Sequence, residues 1–181
     1  MNFFPKQIPQ NSCPLKSMKN SAPTSTRQPL VFGLPFSQVT AAGALDRCLD
    51  IVKHGRSRHV ITANVDFLAR AESDASIRRL MFEADEVFCD GMPLVWASRW
   101  FGKSESALPE RVTGSDLVPA LLKRCAAEGR SVFFLGSDEP TLERLEEKLG
   151  DDLPELRIAG AISPPMGPIE DWDNEGYVEA I

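Results

Sequence analysis

From Leu30 onward the apolar positions follow two alternating rhythms: short β-branched runs, and longer stretches with an apolar residue every three or four positions. LVFGLPF, residues 30–36, predicts a short strand. Val39, Ala42, Leu45, Cys48, Leu49 and Val52 then share one helical face, with Ser37 or Thr40 as cap and Gly55 as stop. HVITANV, residues 59–65, has the unbroken apolar character of a buried parallel strand. Phe67 to Ala71 reads as helix, and a second start at Ser73 or Asp74 carries Ile77, Leu80, Met81 and Ala84. A strand at Glu86–Cys89 runs into Asp90-Gly91, and Pro93 is suited to the first turn of a helix through Trp100.

After a polar loop, Ser115 or Asp116 starts a helix with Leu117, Val118, Leu121, Leu122 and Cys125 as its stripe. SVFFLG, DEPTLERLEEKLG and LRIAGAI follow as strand, helix and strand. SPPMGP is a stiff turn, and Trp172 to Ile181 opens one more helix. Strands alternating with helices through short loops predict an α/β fold, a Rossmann-like parallel sheet with helices on both faces. Trp96, Trp100 and Phe101 are assigned to its core. Residues 1–28, rich in Pro, Ser, Asn, Gln, Lys and Thr, predict a disordered tail, so the folded domain is placed at 29–181. The βα rhythm stops at Ile181 without the strand expected next, as a C-terminally shortened domain would.

Composition narrows the function classes. With 43% hydrophobic and 25% charged residues the 181-residue chain is an ordinary globular protein. A net charge of −6 argues against nucleic acid, although Arg78, Arg79, Arg99, Lys103 and Arg111 leave room for a local basic patch. Cys13, Cys48, Cys89 and Cys125 form no CxxC pair, and neither His54 nor His59 lies at metal-ligand spacing with them. Reduced cysteines point to the cytoplasm. The sequence has no apolar run of membrane-spanning length, so membrane contact would be peripheral.

Ligands of open parallel sheets bind beyond the carboxyl ends of the strands. That rule selects Thr62 to Asp66, Asp90-Gly91 and Gly136-Ser137-Asp138. Asp90 fits a general base and fits equally a cap for the Pro93 helix. Arg111, close before a helix N-terminus, suits a diphosphate, but in a loop it also reads as a solvated surface arginine. Asp85 and Asp90 are not a DxD pair, so no metal platform and no cofactor is expected. GLPFSQ at the first junction lacks the glycine fingerprint of a dinucleotide-dependent oxidoreductase.

ITANVDFLARA, EVFCDGMPLVWASRWFG, PERVTGSDL and VFFLGS, in that order and spacing, resemble the successive signatures of the WecG/TagA/CpsF glycosyltransferase family, and ISPPMGP is similar to its proline-paired loop. The resemblance spans roughly residues 30–170. It implies metal-independent, inverting transfer from a UDP-sugar of the N-acetylmannosamine type to N-acetylglucosamine on undecaprenyl diphosphate, in cell-surface polysaccharide synthesis. It also implies an enzyme at the inner face of the membrane. By position, Thr62 and Asn64 match pocket-lining residues, Asp90 with Gly91 the proposed base and its D-G motif, and Arg111 the arginine that steadies the diphosphate. Gly136 and Ser137 complete the expected substrate-binding set. Family members continue into a further strand, a glutamine-bearing segment and a basic membrane-docking end, none of which follows Ile181. A non-catalytic remnant that binds nucleotide or a protein partner is therefore the competing reading, and the bare sheet edge leaves self-association open.

Overall fold

The computed structural model describes residues 30–55, 57–102, 107–168 and 172–181. The expected tail, residues 1–28, lies outside them. In chain order the elements are β1 (Leu30–Val31), β2 (Leu34–Pro35), α1 (Ala41–His54), β3 (Val60–Ala63), α2 (Val65–Ser73), α3 (Ala75–Glu83), β4 (Glu86–Cys89), α4 (Met92–Trp100), α5 (Gly114–Ala127), β5 (Ser131–Leu135), α6 (Glu139–Asp152), β6 (Arg157–Ile162) and α7 (Asn174–Ala180). The fold is α/β and Rossmann-like, as the alternating rhythms predict.

The expected first strand is instead a hairpin. Phe32 and Gly33 both adopt positive φ, 52° and 73°, and reverse the chain between antiparallel β1 and β2. Two successive positive φ values match the twist of paired strands, and a glycine in the second makes the turn cheap.

β3 and β4 pair in parallel, Thr62 opposite Phe88 and Ala63 opposite Cys89. β5 and β6 form a second parallel pair, with Ala159 left over as a bulge where Val132 meets Ile158 and Phe133 meets Gly160. The described strands thus make two parallel pairs rather than the single sheet expected. The outer edge of β4 is taken up by loop backbone. Ser37 donates its backbone N–H to Val87 O at 2.8 Å, and Val112 donates to Cys89 O at 2.7 Å. Two loop residues occupy the acceptors that a neighbouring strand would have used.

The pleat sends alternate side chains to opposite faces. Ile61, Ala63, Val87 and Cys89 pack with Ala71 of α2, Met81 of α3, and Leu94 and Val95 of α4. Phe88, on the other face, packs with Ala44 and Cys48 of α1, Val112, and Leu117 of α5. Helices therefore cover both faces of β3–β4, fixing the direction in which its carboxyl ends open.

A polar clasp holds α1 against the base of β4. Arg47 donates to both carboxylate oxygens of Glu86, at 2.9 and 2.7 Å. Ser37 Oγ donates to Glu86 at 2.6 Å while accepting from Val87 N at 3.1 Å. The hydroxyl of buried Ser37 thereby both donates and accepts.

Candidate active site at the carboxyl rim of β3 and β4

The rim is built from the two strand ends outward. Asp90 N donates to Ala63 O at 2.9 Å, extending the ladder one step past the paired strands. Asn64 directly follows β3 and caps α2, its side chain accepting from Phe67 N at 3.2 Å. That contact uses the amide oxygen and leaves the amide nitrogen uncommitted among the described residues. Thr62 is half-buried, and its hydroxyl likewise has no hydrogen-bond partner among the described residues.

Asp90 is half-buried, and its carboxylate makes no hydrogen bond or ion pair among the described residues. The capping alternative fails on geometry. Gly91 is the N-cap of α4, no side chain caps that helix, and Pro93 occupies its first turn. Gly91 sits at φ 155°, ψ 133°, a conformation essentially restricted to glycine, and this turns α4 away while leaving the carboxylate at the rim.

The third wall comes from the loop before α5. Val112 N is bonded to Cys89 O, so the residue after Arg111 touches the residue before Asp90. The Arg111 guanidinium lies 3.6 Å from Asp116, with both side chains about half exposed or more. An exposed pair of this length contributes little and can be exchanged for a better anion. Thr113, buried beside it, is the N-cap of α5 in place of the expected Ser115 or Asp116. Its hydroxyl donates to Asp116 at 2.7 Å and accepts from Ser115 at 3.2 Å, so it does not cap the backbone. The N–H groups of Gly114 and Ser115 remain without partners among the described residues, a ready anion contact at the positive end of a 14-residue helix. Gly114 also approaches Thr62 so closely that a Cβ there would lie 3.3 Å from Thr62 Oγ1.

Thr62, Asn64, Asp90, Gly91 and Arg111 therefore meet on one rim, joined by Thr113, Gly114 and Ser115. Their signal lay in GSD, beginning three residues after Arg111, which marks a helix start reaching toward the strand ends. Gly136 and Ser137 belong to the other strand pair. They end β5, at φ 127° and 67°, with Gly136 N bonded to Ile162 O and Ser163 Oγ donating to Ser137 O at 2.9 Å. No hydrogen bond or ion pair among the described residues ties them to Asp90, because β5 pairs only with β6. The third of the three predicted strand ends thus belongs to the β5–β6 pair.

Asp85 does not share a site with Asp90. Its carboxylate is taken by Arg58 and by His59 N. Among the described residues no three His, Cys, Asp or Glu side chains are grouped to hold a metal ion. Cys48, Cys89 and Cys125 are buried free thiols.

Cys89 lies directly beneath the rim, its Sγ 3.5 Å from Gly91 O. Burial pushes this thiol up from 9.0 to about 11; the Gly91 contact offsets part of that rise, and the Asp90 charge adds to it. Because the folded value is the higher one, the buried thiol's contribution to stability is complete below pH ~9 and fades as pH rises towards ~11. Between about pH 8 and about pH 10, the parent should lose about 1 kcal/mol more stability than Cys89→Ala. Urea denaturation at the two pH values measures this, and equal losses would place the thiol in contact with water.

Residues 29–181 match the glycosyl transferase WecG/TagA/CpsF family, and the chain belongs to that family.

Proposed function

We propose that this glycosyltransferase of cell-surface polysaccharide synthesis uses the β3–β4 rim to transfer an N-acetylmannosamine-type sugar from its UDP donor to N-acetylglucosamine carried on a polyprenyl diphosphate. The observation that supports the site assignment is the Asp90 carboxylate, without a hydrogen bond or ion pair among the described residues, directly after the 2.7 Å bond by which Val112 N, next to Arg111, joins Cys89 O.

Inverting transfer is a single displacement. The acceptor hydroxyl loses its proton as its oxygen bonds to the anomeric carbon, while the bond to the UDP oxygen breaks on the opposite face. Asp90 takes the proton, having no competing partner among the described residues. Arg111 leaves Asp116 to face the diphosphate, whose growing charge is also met by Gly114 N, Ser115 N and the positive end of α5. These donors supply charge stabilisation from the chain itself. Thr62 and the Asn64 amide line the donor sugar, where groups that would be costly to bury unpaired acquire partners.

Calorimetric titration with UDP tests the diphosphate assignment. The parent chain should bind, and Arg111→Ala should bind at least about tenfold more weakly, because a charge-assisted contact is lost. Equal binding by a folded Arg111→Ala protein would remove the arginine from the diphosphate site.

A further inference from the structure

The loop that carries Arg111 makes no regular structure of its own. Residues 107–113 form neither helix nor strand, so other elements must meet their backbone polar groups. The last turn of α4 meets three of them. Ser98, 1% exposed, donates its hydroxyl to Val95 O at 2.8 Å and accepts from Leu108 N at 3.0 Å. Arg99 Nε donates to Leu108 O at 3.4 Å, and its Nη2 donates to Pro109 O at 2.6 Å. Leu108, also 1% exposed, joins the core cluster that contains Leu94 and Val95 of the same helix. Trp96, Trp100 and Phe101, expected in the core, face water instead, because α4 is covered on one side only.

Other contacts fix the same loop from different directions. Gln38 Nε2 donates to Ala107 O at 3.0 Å, and Glu110 accepts from Ala41 N at the start of α1. Beyond Arg111, Val112 N is bonded to Cys89 O. The chain is thus gripped at Pro109 and again at Val112, with only Glu110 and Arg111 between. α4 itself follows β4 directly after Asp90 and Gly91. One helix therefore ties the candidate base to the loop of the candidate diphosphate ligand.

Taking Arg111 as the diphosphate ligand proposed above, we propose that Arg99 is a positioning residue for sugar transfer. By holding the carbonyl oxygens of Leu108 and Pro109, it sets the path of the chain at Arg111 and so where that guanidinium meets the diphosphate. Arg99 acts through the backbone and touches no substrate in this role. A guanidinium suits the task, because its donors form a planar fork that can span two oxygens, whereas an ammonium on a flexible stem is a point charge. Without the fork, the loop would have to be ordered as the nucleotide binds, and that ordering costs affinity. Arg99 is exposed and pairs with no carboxylate among the described residues, so its replacement should leave the fold intact.

Calorimetric titration of the full chain with UDP, with circular dichroism as the check on folding, compares four variants with the parent. They are Arg99→Ala, Arg99→Lys, Arg111→Ala and the double variant Arg99→Ala, Arg111→Ala. Arg99→Ala should bind UDP about fivefold or more weakly than the parent. Arg99→Lys keeps the charge but not the fork, and should bind as weakly as Arg99→Ala. In the Arg111→Ala background, Arg99→Ala should change the affinity by less than about twofold, because its effect passes through Arg111. Parent-like binding by Arg99→Ala would overturn the proposal. So would parent-like binding by Arg99→Lys, which would make charge alone the cause. An undiminished loss in the double variant would also overturn it, since Arg99 would then act on UDP independently. No UDP binding by the parent, or parent-like binding by Arg111→Ala, would instead overturn the diphosphate reading itself, and the role of Arg99 with it.

Discussion

Asp90→Asn is expected to lower the turnover of sugar transfer by about 10³-fold while leaving UDP affinity within about twofold of the parent, as loss of a general base does. A 10³-fold loss corresponds to about 4 kcal/mol of transition-state stabilisation. Asparagine keeps the volume and the turn at Gly91 and removes only the basic oxygen. The structure makes the substitution clean, because the carboxylate caps no helix and holds no ion pair among the described residues. No hydrogen bond is lost on replacement, so stability should barely move. Single-turnover assays with a lipid-linked acceptor measure the rate, and calorimetry measures the affinity. A variant that keeps full turnover would require another base. Equal losses in rate and UDP binding would place Asp90 in the nucleotide pocket instead.

Much of this rim could be read from sequence because each part is local. Asp90 follows a four-residue apolar strand and precedes a glycine and a proline, so a strand end, a turn and a helix start were fixed within a few positions. Asn64 was placed the same way, at the end of β3. What escaped depended on contacts between segments. Thr113, not Ser115 or Asp116, begins α5, since the Val112–Cys89 bond sets where the chain leaves the strand edge. LVFGLPF has a strand's composition, yet the positive φ of Phe32 and Gly33 folds it back into a hairpin. Gly136 and Ser137 were assigned to the same rim as Asp90 on the assumption of one sheet. Ser37 and Val112, far apart in sequence, take the outer acceptors of β4, and β5 pairs with β6. Helical spacing also could not reveal that one side of α4 would remain bare and leave Trp96 and Trp100 exposed.

The link between packing and site is sharpest at Phe88. This fully buried ring stands opposite Thr62 in the register, two residues before Asp90, within the cluster formed by Val39, Ala44, Cys48, Val112 and Leu117. It therefore joins α1, α5 and the Arg111 loop to the strand that bears the candidate base. Phe88→Ala should destabilise the fold by about 3–5 kcal/mol, from lost transfer energy and the cavity left among side chains that collapse only in part. That is a large fraction of a typical domain's 5–15 kcal/mol, so the urea midpoint should fall markedly. Phe88→Leu keeps an apolar occupant and should cost closer to about 1 kcal/mol. Urea denaturation followed by circular dichroism measures both. In folded Phe88→Leu, UDP binding should weaken more than with an equally destabilising change in the Leu142 and Leu149 contacts of α6. Its cavity lies under Val112 and loosens Arg111, whereas α6 serves the separate β5–β6 pair. Equal weakening from both positions would mean that stability alone governs binding, and that the β4 core does not position the site.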